Sequence, residues 1–208
     1  MTLALASNAL TTVAALLADM GITDTSDKPA TAINIVSDFI AHYCGRTFGR
    51  ATVTSEKHAG TGTRILMVDV RPIVTLTSIT YLGTAIDTAG YEVHDADAGM
   101  IMRLYDTWGA DYDSPIDARK EWAVTYVGGY ILPKDESATP PAVVRTLPWD
   151  LENAAKRLAA SVYQGMARDG NITSESLNGY SVQYRSSVDP LTTLEPIVRL
   201  TLDKYRGA

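Results

Sequence analysis

The chain has 208 residues, of which 46% are hydrophobic and 20% charged, a globular composition that excludes an intrinsically disordered chain. Its 24 acidic against 18 basic residues leave a net charge of -6, which argues against a protein that grips DNA or anionic lipid, since both want a basic face. The single cysteine, Cys44, excludes an internal disulfide framework and a cysteine-based zinc site and makes a reducing cytoplasm the default compartment.

Met1 to Leu17 is rich in Ala and Leu, but it lacks a basic start and is broken by Ser7, Asn8, Thr11 and Thr12. It reads as neither a signal peptide nor a membrane span. Ala9 to Met20 has Leu10, Val13, Leu16 and Leu17 at helical spacing, with Gly21 placed to end the helix. A second helix is expected to be capped by Asp27, to carry Pro29 in its first turn and to stop at Gly45. Ile33, Val36, Ile40 and Tyr43 form its apolar stripe, widened by Ile35 and Phe39.

Residues 50–130 change character. Thr52 to Val70 is rich in Thr and Val, with a hairpin turn expected at Gly60-Thr61-Gly62. Ile73 to Leu82 carries Ile73, Leu76, Ile79 and Tyr81. Tyr91 to His94 and Met100 to Leu104 flank a turn at Asp95 to Gly99, and Glu121 to Val127 sets Trp122, Val124 and Tyr126 on one side before Gly128-Gly129. This reads as about six antiparallel strands, with Tyr105 to Arg119 as an acidic loop.

Pro133 to Pro148 holds four prolines and reads as a linker or extended arm. Trp149 to Asp169 is the clearest helix, with Leu151, Ala154, Ala155, Leu158, Ala159, Val162 and Met166 in one stripe. Leu177 to Tyr184 contains Asn178-Gly179 and alternates as a short hairpin or strand, and a last helix follows from Thr193. The fold class is α+β: a bundle of four α-helices with an inserted antiparallel β-rich subdomain. The expected domains are a helical pair over 1–49, the β-rich insertion over 50–130, and 131–208 completing the helical domain.

Little of this points to catalysis. His42, His58 and His94 lie in separate segments, outside any metal-ligand spacing. His42 and Cys44 sit about 200° apart around a helix, too far for a local dyad. Gly60 to Arg64 lacks the spacing of a phosphate cradle. Asp95-x-Asp97-x-Gly99 and Asp111-x-Asp113 lack the closing glutamate of a calcium loop. Trp122, Tyr126 and Tyr130 could stack bases, but no basic stripe accompanies them, so sheet packing is the better explanation. No enzyme activity, cofactor or metal is expected. An interaction protein is.

Six segments in order carry a family resemblance. Ile33-x-x-Val36-x-x-Phe39-Ile40-x-x-Tyr43-Cys44-Gly45-Arg46-Thr47-Phe48 resembles the second-helix end of the head–tail connector proteins of tailed bacteriophages, also called adaptor or head-completion proteins. Arg71-Pro72-Ile73-Val74 with Leu76-x-x-Ile79, and Trp122-x-Val124-x-Tyr126-x-Gly128-Gly129-Tyr130, are similar to two of the family's strands. Pro148-x-Asp150-Leu151-x-x-Ala154 with Leu158-Ala159-Ala160 resembles its long helix. Gly179-Tyr180-Ser181-Val182-x-Tyr184 and Leu202-x-x-Tyr205-Arg206 match further on.

The resemblance implies a non-enzymatic virion protein at the head–tail interface, assembled in the host cytoplasm. It would form a closed ring of about twelve copies beneath the portal, extend the DNA channel and carry a stopper or tail-completion protein. DNA would pass through the lumen without specific binding, and no membrane is involved. Another phage assembly protein, such as a stopper or tail-completion factor, is the alternative. The resemblance assigns portal docking to the C-terminal segment, with Leu191, Leu194, Ile197, Leu200, Tyr205 and Arg206 as contacts, and its removal is expected to leave the core folded. Trp122, Tyr126, Tyr130 and Trp149 are expected at a subunit interface or in the core. The net charge suggests Asp150, Glu152 and Asp169 as channel-lining residues, because a lumen for DNA should not hold a polyanion.

Overall fold

A computed structural model of the chain describes residues 3–109, 121–166, 174–177, 180–183 and 194–206. Among them are four α-helices and three antiparallel sheets, so the class is mixed α+β. The chain divides into two compact units, Met1–Arg46 with Ile131–Ala208, and Thr47–Tyr130.

The first unit holds α1 (Val13–Met20), α2 (Lys28–Cys44), α3 (Trp149–Met166) and α4 (Pro196–Tyr205). Helix α1 starts later than its apolar spacing predicts because Thr12 caps it, its hydroxyl accepting the Ala15 N–H at 3.2 Å. Leu10 is still buried, from the segment before the helix, where its N–H donates to Ser37 Oγ. Gly21 and Gly45 end α1 and α2 in the left-handed region, at φ 65° and 64°. Their N–H groups return to Ala18 and His42, a conformation that costs glycine least. Asp27 precedes α2 but does not cap it with its side chain; its carboxylate accepts the Leu3 N–H instead, at 2.7 Å.

Helix α2 buries Ala32, Ile33, Val36, Ser37, Ile40 and Cys44. Ile35 is exposed, a correction to the wider stripe, because at 100° per residue it lies about 200° from Ile33. Helix α3 packs against the other three helices, burying Leu151, Ala154, Ala155, Leu158 and Ala159. Each buried leucine contributes about 1.5–3 kcal/mol, and the alanines let neighbouring backbones approach. Helix α4 runs antiparallel to α3, since Lys204 pairs with Asp150 and Arg157 with Glu195.

The segment read as an extended arm is closed. Thr146 and Leu147 donate their N–H groups to the Ile131 carbonyl, and Ser137 and Val143 form an antiparallel bridge between. Leu132 and Leu147 at its base are buried, and 138–142 at its tip are exposed. Four prolines here shape a loop rather than a linker.

The second unit contains β1 (Ala51–His58), β2 (Ile65–Met67), β3 (Ile73–Tyr81), β4 (Thr84–Ala85), β5 (Tyr91–Asp95), β6 (Met100–Arg103) and β7 (Trp122–Gly128). One sheet has the order β1-β7-β3-β4 and another β2-β6-β5. The Gly60-Thr61-Gly62 segment is therefore not a hairpin turn, because β1 and β2 belong to different sheets. The residues before and after the unit's strands are joined: Tyr130 N–H donates to Phe48 and Arg50 N–H to Tyr130. Two bulges in β3, after Ile73 and after Leu76, explain why its inward residues recur at intervals of three; each bulge adds one residue to a period of two. A Cβ at Gly128 would collide with the Val70 carbonyl, and Gly129 adopts φ +89° against Gly49. The glycine pair is a close backbone approach as well as a strand end.

The short strands β8 (Ser174–Leu177) and β9 (Tyr180–Gln183) form a hairpin of their own in the C-terminal part of the first unit.

Candidate functional site

A polar network of the second unit centres on Tyr126. The bulge in β1 lies between Val53 and Glu56, with Ser55 at φ 55° donating its N–H to Thr125 Oγ1. The extra residue turns Glu56 and His58 inward. Tyr126 donates its hydroxyl to Glu56 Oε2 at 2.5 Å and accepts the Val70 N–H at 2.9 Å. His58 Nε2 lies 2.7 Å from Glu56 Oε1, which also accepts the Asp69 N–H.

Burial alone would raise the Glu56 carboxyl, but hydrogen bonds from His58, Tyr126 and Asp69 outweigh it and hold the group below the ordinary glutamate range. Burial and the adjacent carboxylate push the Tyr126 phenol well up. A low carboxylate beside a high phenol is a satisfied structural network, with no nucleophile. Because the folded value of Glu56 is lowered, its contribution is complete above the unfolded pKa, about 4.3, and is lost as pH falls through the folded value. Stability of this unit is therefore expected to decline in acid below about pH 4, and Glu56→Gln to flatten that decline. Urea midpoints from pH 6 to pH 2 test this.

The chemistry of the first unit lies on its surface. Trp149, at the start of α3, is 63% exposed, and the Arg145 guanidinium stacks 3.6 Å from its ring centroid. Arg145 is fixed in turn by Glu152 at 2.7 Å and Glu136 at 3.8 Å. A tryptophan and an arginine held rigid at the surface is the composition of binding hot spots. On α4, Val198 and Leu202 are buried, whereas Ile197 and Leu200 are 56% and 72% exposed. A short helix with apolar residues on both sides is suited to burial on both sides.

The C-terminal end of α4 is latched down. Tyr205 donates its hydroxyl to Asp150 at 2.6 Å, Lys204 reaches the same carboxylate at 3.0 Å, and Tyr43 donates to Asp203 at 2.6 Å. Burial raises the Asp150 carboxyl, but Tyr205 and Lys204 outweigh it and hold it low. Cys44 is buried beneath, its thiol donating to the Leu202 carbonyl, and burial pushes its pKa up to about 11. A thiol reagent at pH 8, where about one thiol in a thousand is ionised, is expected to leave Cys44 untouched. Deletion of 194–208 should make it react at once.

The sequence-derived candidates separate on this background. Trp122 and Tyr126 are core residues, Tyr130 is half-buried and Trp149 is exposed. Glu152 is corrected outright: at 1% exposure and paired with Arg145, it has no surface to present to a channel. Asp150 faces Tyr205 and Lys204, whose ammonium offsets its charge. Tyr205 is half-buried and engaged within the chain, while Arg206 is exposed and its guanidinium lies 5.7 Å from the Tyr43 ring centroid. The C-terminal helix is therefore part of the core of its unit, contrary to the expectation that its loss leaves that core folded. Leu191 and Asp169 lie outside the described residues, as do Asp111, Asp113 and Asp117.

Trp108 and Arg145 are missed by sequence reasoning. Neither sits in a periodic segment, and only the isolated tryptophan in the acidic loop was a signal. Among the described residues, no group of three or more His, Cys, Asp or Glu could hold a metal ion, and no helix is long and apolar enough to cross a membrane.

Comparison with solved structures adds the fold. A chain in the neck of an empty GTA particle, computed with C6 symmetry, superposes with a TM-score of 0.51 at 16% identity, over 100% of this chain and 94% of that one. The two share a fold. A chain in the virion of a native gene transfer agent (GTA) particle matches with TM-score 0.49 at 14% identity, over 99% and 93%. One in the neck of the native GTA particle, computed with C12 symmetry, matches with TM-score 0.47 at 14% identity, over 100% and 93%. No family model matches the chain, and no curated protein matches it.

Proposed function

We propose that the chain is a structural virion protein of a phage-like neck. It is a head–tail connector that forms a ring beneath the portal, extends the DNA channel and carries the stopper or tail. The observation that carries this reading is the fold shared, over its full length, with a chain of a particle neck. The ordered family motifs in the sequence support it independently. In this reading the helices of Met1–Arg46 and Ile131–Ala208 form one four-helix bundle, and Thr47–Tyr130 is inserted into it.

The outward side of α4, with Ile197 and Leu200, and the flanking Leu194 and Arg206 dock on the portal, while Val198 and Leu202 hold the helix to its own unit. DNA passes without specific binding, consistent with the net charge of -6.

Light scattering of the purified protein, alone and mixed with its cognate portal ring, tests the reading. Co-elution of about a dozen copies per portal is the expected result. Leu200→Asp, at a side chain 72% exposed, should abolish co-elution without moving the thermal transition. A protein that ignores the portal would be a stopper or tail-completion factor instead.

A further inference from the structure

The two larger sheets of the Thr47–Tyr130 unit differ on the side away from its core. In the β1-β7-β3-β4 sheet the face opposite Trp122, Val124 and Tyr126 is mostly polar. It carries Thr52 and Lys57 on β1, Thr125 on β7, and Thr75, Ser78 and Thr80 on β3, the ordinary pattern for an antiparallel sheet with one solvated face.

The β2-β6-β5 sheet breaks that pattern. Leu66, Ile101 and Tyr91 belong to the core, whereas the alternate residues Ile65, Met67, Met100 and Met102 stand outside it. Ile65 opposes Met102 and Met67 opposes Met100, so all four share the outer face. Met67 is 39% exposed, and the other three are half-buried. Three of the chain's six methionines thus stand on one small face. Methionine is flexible and polarizable, and it recurs at surfaces that adapt to an apolar partner. On β5 the same face carries Glu92 opposite Met102. A bulge between Val93 and Asp95 then sets Asp95, not His94, opposite Met100. Both carboxylates are exposed, and the ion pairs among the described residues include neither. Arg64, beside β2, gives its guanidinium to the carbonyls of Arg103 and Leu104 instead.

We propose that this face docks an amphipathic helix of another neck protein. The helix lays its apolar side on Ile65, Met67, Met100 and Met102 and sets lysines or arginines over Glu92 and Asp95. The proposal rests on the neck reading above. Charge complementarity selects the occupant: two carboxylates along one edge favour a basic segment and repel an acidic one. They equally repel DNA and anionic lipid. Shape selects a helix. Three strands about 4.8 Å apart make a face about 10 Å wide, the diameter of one helix. The chain's own exposed apolar and basic surface, Ile197 and Leu200 with Arg199 and Lys204 on α4, belongs to the portal in that reading. A second copy is therefore not the occupant.

Photo-methionine in place of methionine, irradiated in the assembled neck, tests the site. Peptides joined to Met67, Met100 or Met102 are read by mass spectrometry. The expected product joins these positions to one helical segment of a different neck protein, with lysine or arginine beside its apolar residues. Glu92→Lys reverses the rim at an exposed side chain, and should lose those cross-links with the thermal transition unchanged. Cross-links to a second copy, told from internal ones by mixing isotope-labelled and unlabelled chains, overturn the proposal and leave the neck reading standing. So do cross-links to a segment without bases, a face that captures only water, or a Glu92→Lys protein that cross-links like the unaltered one. Failure of the unaltered chain to enter any neck overturns both.

Discussion

Trp108→Ala is expected to destabilise the Thr47–Tyr130 unit by about 3–5 kcal/mol. Trp108 is 0% exposed. Its indole N–H donates to the Arg64 carbonyl at 2.9 Å, its backbone N–H donates to Thr63, and its ring meets Trp122 edge-on at 5.0 Å. The Arg103 guanidinium lies 5.5 Å from the centroids of both rings. Truncation would leave a cavity at the junction of the two sheets and bare a charged group to it. The lost transfer energy, the unfilled volume and the lost cation–π contact all act in one direction. Urea unfolding followed by circular dichroism measures the effect as a fall in midpoint at constant slope. Trp149→Ala is the control, since that ring is largely in water; a loss as large as that of Trp108→Ala would contradict its surface placement.

The second large effect is expected at Arg145. Removing it in Arg145→Ala strands the Glu152 carboxylate, which has 2% of its side chain in water and, among the described residues, only Thr11 Oγ1, at 3.5 Å, as a further partner. Breaking one side of a buried pair typically costs about 3–5 kcal/mol, and the low end applies because Arg145 keeps about a fifth of its own surface exposed. The double variant Arg145→Met with Glu152→Leu is expected to recover most of the loss, since an apolar pair of similar volume carries no desolvation cost. A double-mutant cycle on the first unit's unfolding midpoint isolates the coupling. Additive losses would mean that Arg145 acts through Trp149 rather than through Glu152.

These two residues mark the boundary of what could be read in advance. Helices α2 and α3 were legible because Ile33, Val36 and Ile40, and Leu151, Ala154 and Leu158, repeat at the helical period and end at capping glycines or prolines. Strand β7 was legible because Trp122, Val124 and Tyr126 alternate. Trp108 has no periodic neighbours, so its burial depends on Arg64 and Trp122, which are far away in the chain. Glu152 shows the reverse: an acid in the first turn of a helix looks like a solvent-facing group, and only the closed 131–147 loop brings Arg145 over it.

The amino-acid sequence by itself determined the alternation of helical and strand segments, the mixed class and the absence of an obvious catalytic motif, because these follow from local periodicity, turn residues and composition. It also carried ordered motifs that resemble a connector family. Tertiary structure alone decided which strand pairs with which. That is why Gly60 to Gly62 links two sheets rather than closing a hairpin: register is set by distant partners and by bulges that shift the inward face. Tertiary structure likewise decided that Tyr205 and Asp150 satisfy each other while Ile197 and Leu200 face solvent. Every one of these residues has the same local signature whether its partner lies within the chain or outside it, and only the packing of α4 against α2 and α3 tells the two cases apart.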